Sequence, residues 1–86
     1  MTFEFDNQNS KNNKLKHGID FVEAQFLWDD PDCVVLPAIT IDEARYLLIA
    51  TYNDKIWSAM FTIRSEKIRI ISVRGSRKNE EEIYKS

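Results

Sequence analysis

The sequence has 86 residues, which is enough for a single domain with one hydrophobic core, and we expect that domain to span residues 1–86. Its single cysteine excludes a disulfide scaffold, and its two glycines and two prolines exclude a collagen-like or linker chain. No apolar run approaches the about 20 residues that cross a membrane, and the N-terminus lacks the basic and apolar stretches of a signal peptide. We therefore expect a cytoplasmic protein without membrane contact.

The charged residues are sorted by sign along the chain, although 12 basic and 14 acidic side chains give a net charge of only −2. Residues 20–43 carry seven acids and no base, whereas residues 64–78 carry six bases and one acid. A second basic segment, residues 11–17, carries three lysines and the only histidine. Each block alone can be a solvated face, but two basic blocks that meet in space would attract an anionic partner.

The N-terminal part of the chain predicts a short strand followed by a helix. Phe3 to Phe5 alternate apolar and charged side chains, as a half-buried strand does. Residues 7–16 are polar and predict a weak, mostly exposed helix. Gly18 follows as a typical C-cap, because glycine readily adopts the left-handed conformation that ends many helices.

A second, shorter helix is predicted at residues 21–29. Asp20 and Glu23 have the spacing of a capping box, and Asp30-Pro31 closes the segment. Beyond it, the apolar neighbours of Cys33 indicate a buried, unreactive thiol.

The rest of the chain predicts four strands and a last helix. The strands are Cys33–Leu36, Arg45–Tyr52, Ile56–Ile63 and Lys67–Arg74. Pro37 makes the first of them an edge strand or an extended entry, and the short connections at residues 53–55 and 65–66 require antiparallel hairpins. Ser76 is expected to cap a helix at residues 77–85. The order β-α-α-β-β-β-β-α predicts an α+β fold in which helices pack on an antiparallel meander.

A two-residue turn at Ser65-Glu66 would set the register of the last hairpin. Arg64 would then lie opposite Lys67, Thr62 opposite Arg69, Met60 opposite Ile71, and Trp57 opposite Arg74, unless a bulge intervenes. Three basic side chains would converge on one face beside the turn. Arginine within a strand usually contacts a carboxylate, a phosphate or solvent, so this face is a candidate phosphate site.

The residue types limit the possible chemistry. One His and one Cys cannot form a usual zinc site. Three aspartates close together in the sequence, Asp29, Asp30 and Asp32, form either a carboxylate-only cation site or the end of a helix followed by a turn. RNA cleavage without metal needs proton-transfer groups and cations around the phosphate. His17 or Tyr84 could transfer protons, and arginines could hold the phosphate. The predicted catalytic set is His17, Arg64, Arg69, Arg74 and Tyr84, and the predicted RNA-binding set is Lys14, Lys16, Lys67, Arg77 and Lys78.

The ordered motifs of this sequence resemble the BrnT family, the ribonuclease toxins of type II toxin–antitoxin systems with a RelE-like fold. The resemblance spans nearly the whole chain. Its pieces are Phe3-Glu4-Phe5-Asp6, Lys16-His17-Gly18, Asp29-Asp30-Pro31, Arg69-Ile70-Ile71-Ser72-Val73-Arg74, and Arg77 with Glu80 and Tyr84. The sequence departs from the family pattern at Asn9 and Glu81, where a basic residue is expected, and at Ala50, where a glycine is expected.

The resemblance implies an endoribonuclease that needs neither metal nor cofactor and that inhibits translation. It also implies neutralisation by a dimeric, DNA-binding, BrnA-like antitoxin, with which the toxin would form a heterotetramer that represses its own operon. Charge suggests that the antitoxin contacts Asp29, Asp30 and Asp32. The alternatives are a non-catalytic RNA- or protein-binding module, such as a degenerate toxin kept as a corepressor, and an interaction protein whose acidic stretch binds the partner.

Overall fold

The computed structural model describes residues 2–38 and 41–86. Its helices are α1 (Asn7–His17), a 3-10 helix (Glu23–Asp29) and α2 (Lys78–Lys85). Its strands are β1 (Phe3–Glu4), β2 (Val34–Ala38), β3 (Arg45–Tyr52), β4 (Lys55–Arg64) and β5 (Lys67–Gly75). The order of elements agrees with the predicted α+β class. None of these helices is long and apolar enough to cross a membrane.

The five strands form one mixed sheet in the order β1-β5-β4-β3-β2. Strands β2 to β5 form the predicted antiparallel meander, with β2 as the predicted edge strand. Strand β1 pairs with β5 in parallel, Phe3 beside Ile68 and Glu4 beside Arg69. The prediction of a purely antiparallel sheet is therefore wrong, because a long crossover brings the chain back to β1 in the same direction.

Both tight hairpin turns place two consecutive residues in the left-handed region. The φ angles are 52° and 61° at Asn53 and Asp54, and 49° and 65° at Ser65 and Glu66. Positive φ at both central residues is the type I′ geometry that suits the right-handed twist of paired strands. The turn at residues 65–66 confirms the predicted pairing of Arg64 with Lys67.

A bulge changes the register farther along the last hairpin. Thr62 pairs with Arg69 as predicted, but Met60 pairs with Ser72 rather than with Ile71, and Trp57 pairs with Gly75 rather than with Arg74. Ile71 is the extra residue, since Phe61 still pairs with Ile70. A bulge shifts every later pair by one position, so the predictions for Met60 and Trp57 are wrong.

The ends of α1 follow from local hydrogen bonds. The Asp6 carboxylate accepts a hydrogen bond from the Asn9 backbone N–H at 2.9 Å, which caps the first turn. Gly18, at φ 83°, donates its backbone N–H to the Lys14 carbonyl oxygen at 2.9 Å. This left-handed C-cap confirms the predicted end of the first helix.

The other two helices differ from their predicted form. Asp20 and Glu23 make the predicted capping box, at 2.8 and 3.2 Å, but the segment that follows is a 3-10 helix that begins at Glu23. Helix α2 begins one residue later than predicted, with Arg77 at the N-cap position, where its backbone N–H donates to Glu80 Oε1 at 2.9 Å. Ser76 does not cap it, because its hydroxyl lies 2.7 Å from the Ser58 hydroxyl.

The hydrophobic core lies between one face of the sheet and the α1 and 3-10 helix layer. Phe21 and Leu27 are fully buried against sheet residues such as Leu48 and Val73. Trp28 packs edge-on against Phe3 and Phe61, with ring centroids 5.1 and 5.2 Å apart. The core residues alternate along β3, β4 and β5, so the residues between them form the opposite face, which we call the outer face.

Candidate functional site

The outer face divides into two parts. Helix α2 covers one part, where Glu80 contacts Ser58 and Arg74, and Tyr84 contacts Thr51. The other part lies beside the Ser65-Glu66 turn, and we call it the turn-end face. It carries Arg45, Thr62, Arg64, Lys67 and Arg69, whose side chains share this face by the observed register.

Glu43 holds two of the arginines at the turn-end face. Its Oε2 accepts a hydrogen bond from Arg64 Nη2 at 3.2 Å, and its Oε1 lies 3.7 Å from Arg45 Nε. The Arg64 side chain keeps 55% of its surface exposed. Exposed pairs of this kind are weak, so an anionic ligand can compete with Glu43 for Arg64.

Arg69 is the arginine of this face that no carboxylate holds among the residues that the structure describes. It is half-buried, it lies beside Thr62 and Glu4 in the sheet, and no hydrogen bond or ion pair joins its guanidinium to residues 2–38 or 41–86. The Thr62 hydroxyl is occupied, because it donates to the Ala44 carbonyl oxygen at 2.6 Å. The Arg69 guanidinium therefore has all its donors available to a ligand.

Arg74, another predicted catalytic residue, lies in an internal ion pair with Glu80. Arg74 Nη1 donates to Glu80 Oε1 at 2.7 Å and Nη2 to Oε2 at 2.9 Å. These bonds are the largest cause that lowers the pKa of Glu80, and together with the bonds from Arg77 and Ser58 they bring it to about 2 against the opposing effect of burial. The same contact raises the pKa of Arg74. This bidentate pair leaves Arg74 fewer donors for a phosphate.

Tyr84, the predicted alternative for proton transfer, donates its hydroxyl to Asp30 Oδ2 at 2.6 Å. Thr51 donates its hydroxyl to Tyr84 at 3.0 Å and its backbone N–H to Asp30 at 2.9 Å. The bond to Asp30 raises the pKa of Tyr84. Burial raises the pKa of Asp30. The hydrogen bonds that its carboxylate accepts from Tyr84, Thr51 and Asp32 outweigh this effect, so the pKa lies below its ordinary value. The phenol is thereby held protonated between α2 and β3.

His17 and Lys16 line a groove between α1 and the edge of β5, which we call the α1–β5 groove. Its walls are Asn9, Asn12, Asn13, Lys16, His17, Ile71 and Ser72. Asn13 fixes the helix there, because its side-chain amide exchanges two hydrogen bonds with the Val73 backbone, at 2.9 and 3.1 Å, and donates to the Ile19 carbonyl oxygen at 2.8 Å. The side chain thus continues the sheet edge where β1 ends.

The groove opens on the same strand as the turn-end face. Ser72 pairs with Met60 on the outer face, three residues along β5 from Arg69. At about 3.3 Å per residue, the two positions are at most about 10 Å apart along the strand. Strand β5 therefore contributes residues both to the groove and to the turn-end face.

The remaining predicted residues lie elsewhere. Lys14 faces away from the groove and pairs with Glu23 at 2.6 Å, a contact that raises its pKa. Arg77 and Lys78 follow β5 at the end opposite to the turn, about 26 Å from Lys67 along the strand. Asp29 and Asp32 are exposed, whereas Asp30 is half-buried in the contacts described above.

Two features of the site were not among the predicted site residues. Glu43 could have been found from the β3–β4 hairpin, because continuing the pairing of Tyr46 with Phe61 by three residues puts Glu43 opposite Arg64. The groove could have been suspected from the spacing of Asn9, Asn12 and Lys16, which places them on one helix face. The Asn13 contact with Val73 spans 60 residues and has no local sequence signal.

The described part of the chain contains no group of three or more His, Cys, Asp or Glu side chains that could hold a metal ion. The three aspartates at residues 29–32 are not such a group. Burial is the larger of two effects that raise the pKa of the half-buried Cys33 thiol, and the negative charge of Asp30 is the smaller. A raised pKa is expected of an unreactive cysteine. The groups that the site offers to a ligand are the guanidinium groups of Arg64 and Arg69 and the ammonium group of Lys67 on the turn-end face, with His17 in the polar α1–β5 groove.

A known protein family matches most of the chain. The family described as "Ribonuclease toxin, BrnT, of type II toxin-antitoxin system" matches residues 5–80 of the chain. No curated protein matches the sequence. The match covers most of the 86 residues and confirms the resemblance of the motifs. Since a type II system pairs a toxin with an antitoxin, it also implies an antitoxin partner. The chain therefore belongs to the BrnT family of ribonuclease toxins.

Proposed function

We propose that this protein is an endoribonuclease that cleaves RNA at the turn-end face without a metal ion. The observation that carries the proposal is the free guanidinium of Arg69 beside Arg64 and Lys67. Three cations on one strand pair can surround a phosphate and stabilise the negative charge that grows on it during cleavage. The family match supports ribonuclease activity, and the position of the α1–β5 groove supports a role for His17.

The reaction that fits these groups is an in-line attack of the ribose 2′-hydroxyl on the adjacent phosphorus. A bond forms between the 2′-oxygen and phosphorus, the bond to the 5′-oxygen breaks, and a 2′,3′-cyclic phosphate remains. One proton leaves the 2′-hydroxyl and one reaches the departing 5′-oxygen. His17 is our first choice for proton transfer, since imidazole can act as both acid and base. The catalytic roles of Tyr84 and Arg74 stay predictions. Their internal contacts with Asp30 and Glu80 favour a positioning role instead.

The decisive experiment incubates the purified protein with RNA in the presence of a metal chelator. We expect cleavage products that end in a 2′,3′-cyclic or 3′-phosphate. Arg69→Ala should reduce cleavage at least tenfold and relieve growth arrest in cells that express the protein, and the exposed residue substitution Lys85→Ala should change neither. RNA that stays intact, together with growth arrest that persists in the Arg69 variant, would reject the proposal.

The second candidate is a non-catalytic binding module, such as a degenerate toxin that acts as a corepressor. The observation in its favour is that two of the five predicted catalytic side chains, Arg74 and Tyr84, make strong internal contacts. Such a module would bind RNA with a strong dependence on salt concentration but would leave it uncleaved. The same incubation, with binding measured in parallel, separates the two candidates.

We further propose that the partner is a BrnA-like antitoxin, and that the two proteins form a heterotetramer which binds operator DNA through the antitoxin. We also propose that the fold is RelE-like, and the sheet order and the position of α2 on the sheet support this. Asp29 and Asp32 remain our candidates for antitoxin contact, because both are exposed. If Asp29→Asn with Asp32→Asn leaves antitoxin affinity the same as in an Asp54→Asn control, this contact is excluded.

A further inference from the structure

The groove face of α1 carries a polar stripe instead of the apolar one that usually faces a sheet. Asn9, Asn12 and Lys16 recur at spacings of three and four residues, which aligns them along one side of a helix. Opposite them lie Ile71, the extra residue of the bulge, and the exposed Ser72. Together these residues enclose a groove of about 270 Å³. This is below the roughly 300–1,000 Å³ of drug-sized sites, so it suits a single ring rather than a polymer.

Several polar groups of this groove remain available. The Asn12 Oδ1 atom accepts a hydrogen bond from Gln8 at 3.1 Å, which leaves its amide donors. Neither the Asn9 amide nor the Ser72 hydroxyl has a hydrogen-bond partner in the part of the chain that the structure describes. Asn13 is different, because its amide is buried and bonded to Val73 and Ile19. The groove thus presents free amide and hydroxyl groups beside an asparagine that is fully hydrogen-bonded to the backbone.

We propose that the α1–β5 groove is a subsite for one unpaired RNA base, held by the side-chain amides of Asn9 and Asn12. This inference rests on the proposed function. The Asn9 amide offers a donor and an acceptor side by side and matches the edge of a base, and the Asn12 amide adds the donors that Gln8 leaves available. Proteins that recognise single-stranded RNA use such contacts on splayed bases, with histidine or aromatic rings for stacking. His17 lines the groove but is assigned to proton transfer in the proposed reaction, so the base contacts are assigned to the two asparagines alone.

The charge of the groove favours a nucleotide over a peptide or a cation. Lys16 lines it, and none of its lining residues is acidic. Ile71 is its only apolar residue, so the side-chain groups that can orient a ligand there are amide, hydroxyl, imidazole and ammonium groups. Ser72 is at most about 10 Å along β5 from Arg69. One short oligonucleotide can therefore occupy the groove with a base and the turn-end face with a phosphate.

The test is an NMR titration of the full chain with the four ribonucleoside 3′-monophosphates, observed at the backbone amides of Ile71 and Ser72, which line the groove and are present in every variant. We expect one nucleotide to bind about fivefold or more tightly than the weakest, as one well-matched pair of base contacts gives. Asn9→Ala combined with Asn12→Ala should abolish this preference, whereas the exposed control Asn7→Ala should keep it. The backbone spectrum checks that both variants are folded. Equal affinity for all four nucleotides, or a preference that survives in the double variant, would overturn the subsite.

Mapping of cleavage positions separates this inference from the proposed function. If the protein cleaves RNA with no base preference at the cut positions, the ribonuclease proposal stands and the subsite is wrong. If it prefers one nucleotide in the titration but leaves RNA uncleaved, the subsite stands and the ribonuclease proposal fails. If both hold, the double variant should cut at more kinds of position than the wild type.

Discussion

Glu80, in the first turn of α2, accepts two hydrogen bonds from Arg74 on β5, at 2.7 and 2.9 Å. Its carboxylate also accepts bonds from the Ser58 hydroxyl and the Arg77 backbone N–H, both at 2.9 Å. Only 6% of the residue is exposed. One carboxylate thus joins β4, β5 and α2, and it holds the last helix over one part of the outer face.

Removing the charge of Glu80 should destabilise the fold. We expect Glu80→Gln to lower the free energy of unfolding by about 2–3 kcal/mol, because a hydrogen bond to a charged group contributes about 1.5–3 kcal/mol and Arg74 would lose its partner. For a domain of this size, the melting temperature should fall by about 10–20 °C. Thermal unfolding measures the change. The exposed neighbour gives a control, Glu82→Gln, which should stay within about 0.5 kcal/mol.

The same contact predicts a loss of stability in acid. The pKa of Glu80 is about 2 in the fold and 4.5 as its ordinary value. Between these values the unfolded chain binds the extra proton, so stability falls as the pH drops from about 4.5 to 2 and is fully present above 4.5. The difference in unfolding free energy between wild type and Glu80→Gln should shrink across this window by at most about 3 kcal/mol. Denaturant unfolding at several pH values measures it, and a constant difference would contradict the assignment.

Local patterns predicted most of the fold. The helix end at Gly18, the capping box of Asp20 and Glu23, and the Ser65-Glu66 turn all depend on neighbours in the chain, and all are confirmed. The parallel pairing of β1 and the bulge at Ile71 depend on contacts between distant segments. Nothing in the local sequence distinguishes a bulged strand from a regular one, so the register beyond Phe61 could not be predicted.

The site was predicted less completely than the fold. Arg64, Lys67 and Arg69 share a face as the hairpin register required. Arg74 and Tyr84 also have the residue types of a catalytic site, but their partners are Glu80 and Asp30. Both contacts depend on where α2 packs. The sequence does not show which arginine or tyrosine side chains will find internal partners once the helix is in place.

The hydrogen bond between Tyr84 and Asp30 gives a test of the role of Tyr84. Tyr84→Phe should lower the free energy of unfolding by about 1–2 kcal/mol, since it removes a bond to a carboxylate. The control Tyr46→Phe removes a hydroxyl that has no hydrogen-bond partner among residues 2–38 and 41–86, and it should change stability less. If Tyr84 only positions α2, RNA cleavage should fall less than tenfold. Abolished cleavage with unchanged stability would instead identify Tyr84 as catalytic.

Asn13 should be important for stability although it is polar. Asn13→Ala removes hydrogen bonds to the Val73 N–H, the Val73 carbonyl and the Ile19 carbonyl, all buried. Unsatisfied buried groups cost about 1–3 kcal/mol each, and partial access of water reduces the total, so we expect a loss of about 2–4 kcal/mol. Hydrogen exchange should show faster exchange of the Val73 amide. Asn7→Ala, an exposed change on the same helix, should leave that amide protected.

Arg69 should contribute one phosphate contact to RNA binding. A contact with single-stranded nucleic acid contributes about 0.7 to the slope of log affinity against log salt concentration. Arg69→Ala should therefore weaken binding to all RNA sequences by similar factors and reduce the slope by about 0.7, as measured by fluorescence anisotropy over a series of salt concentrations. Arg74→Ala offers the informative comparison, because its guanidinium is held by Glu80. Its slope should stay close to that of the wild type, provided that binding is measured below the melting temperature of the variant. Equal losses of slope in the two variants would mean that RNA displaces the Arg74–Glu80 pair, and an unchanged slope in Arg69→Ala would remove the turn-end face from the proposed site.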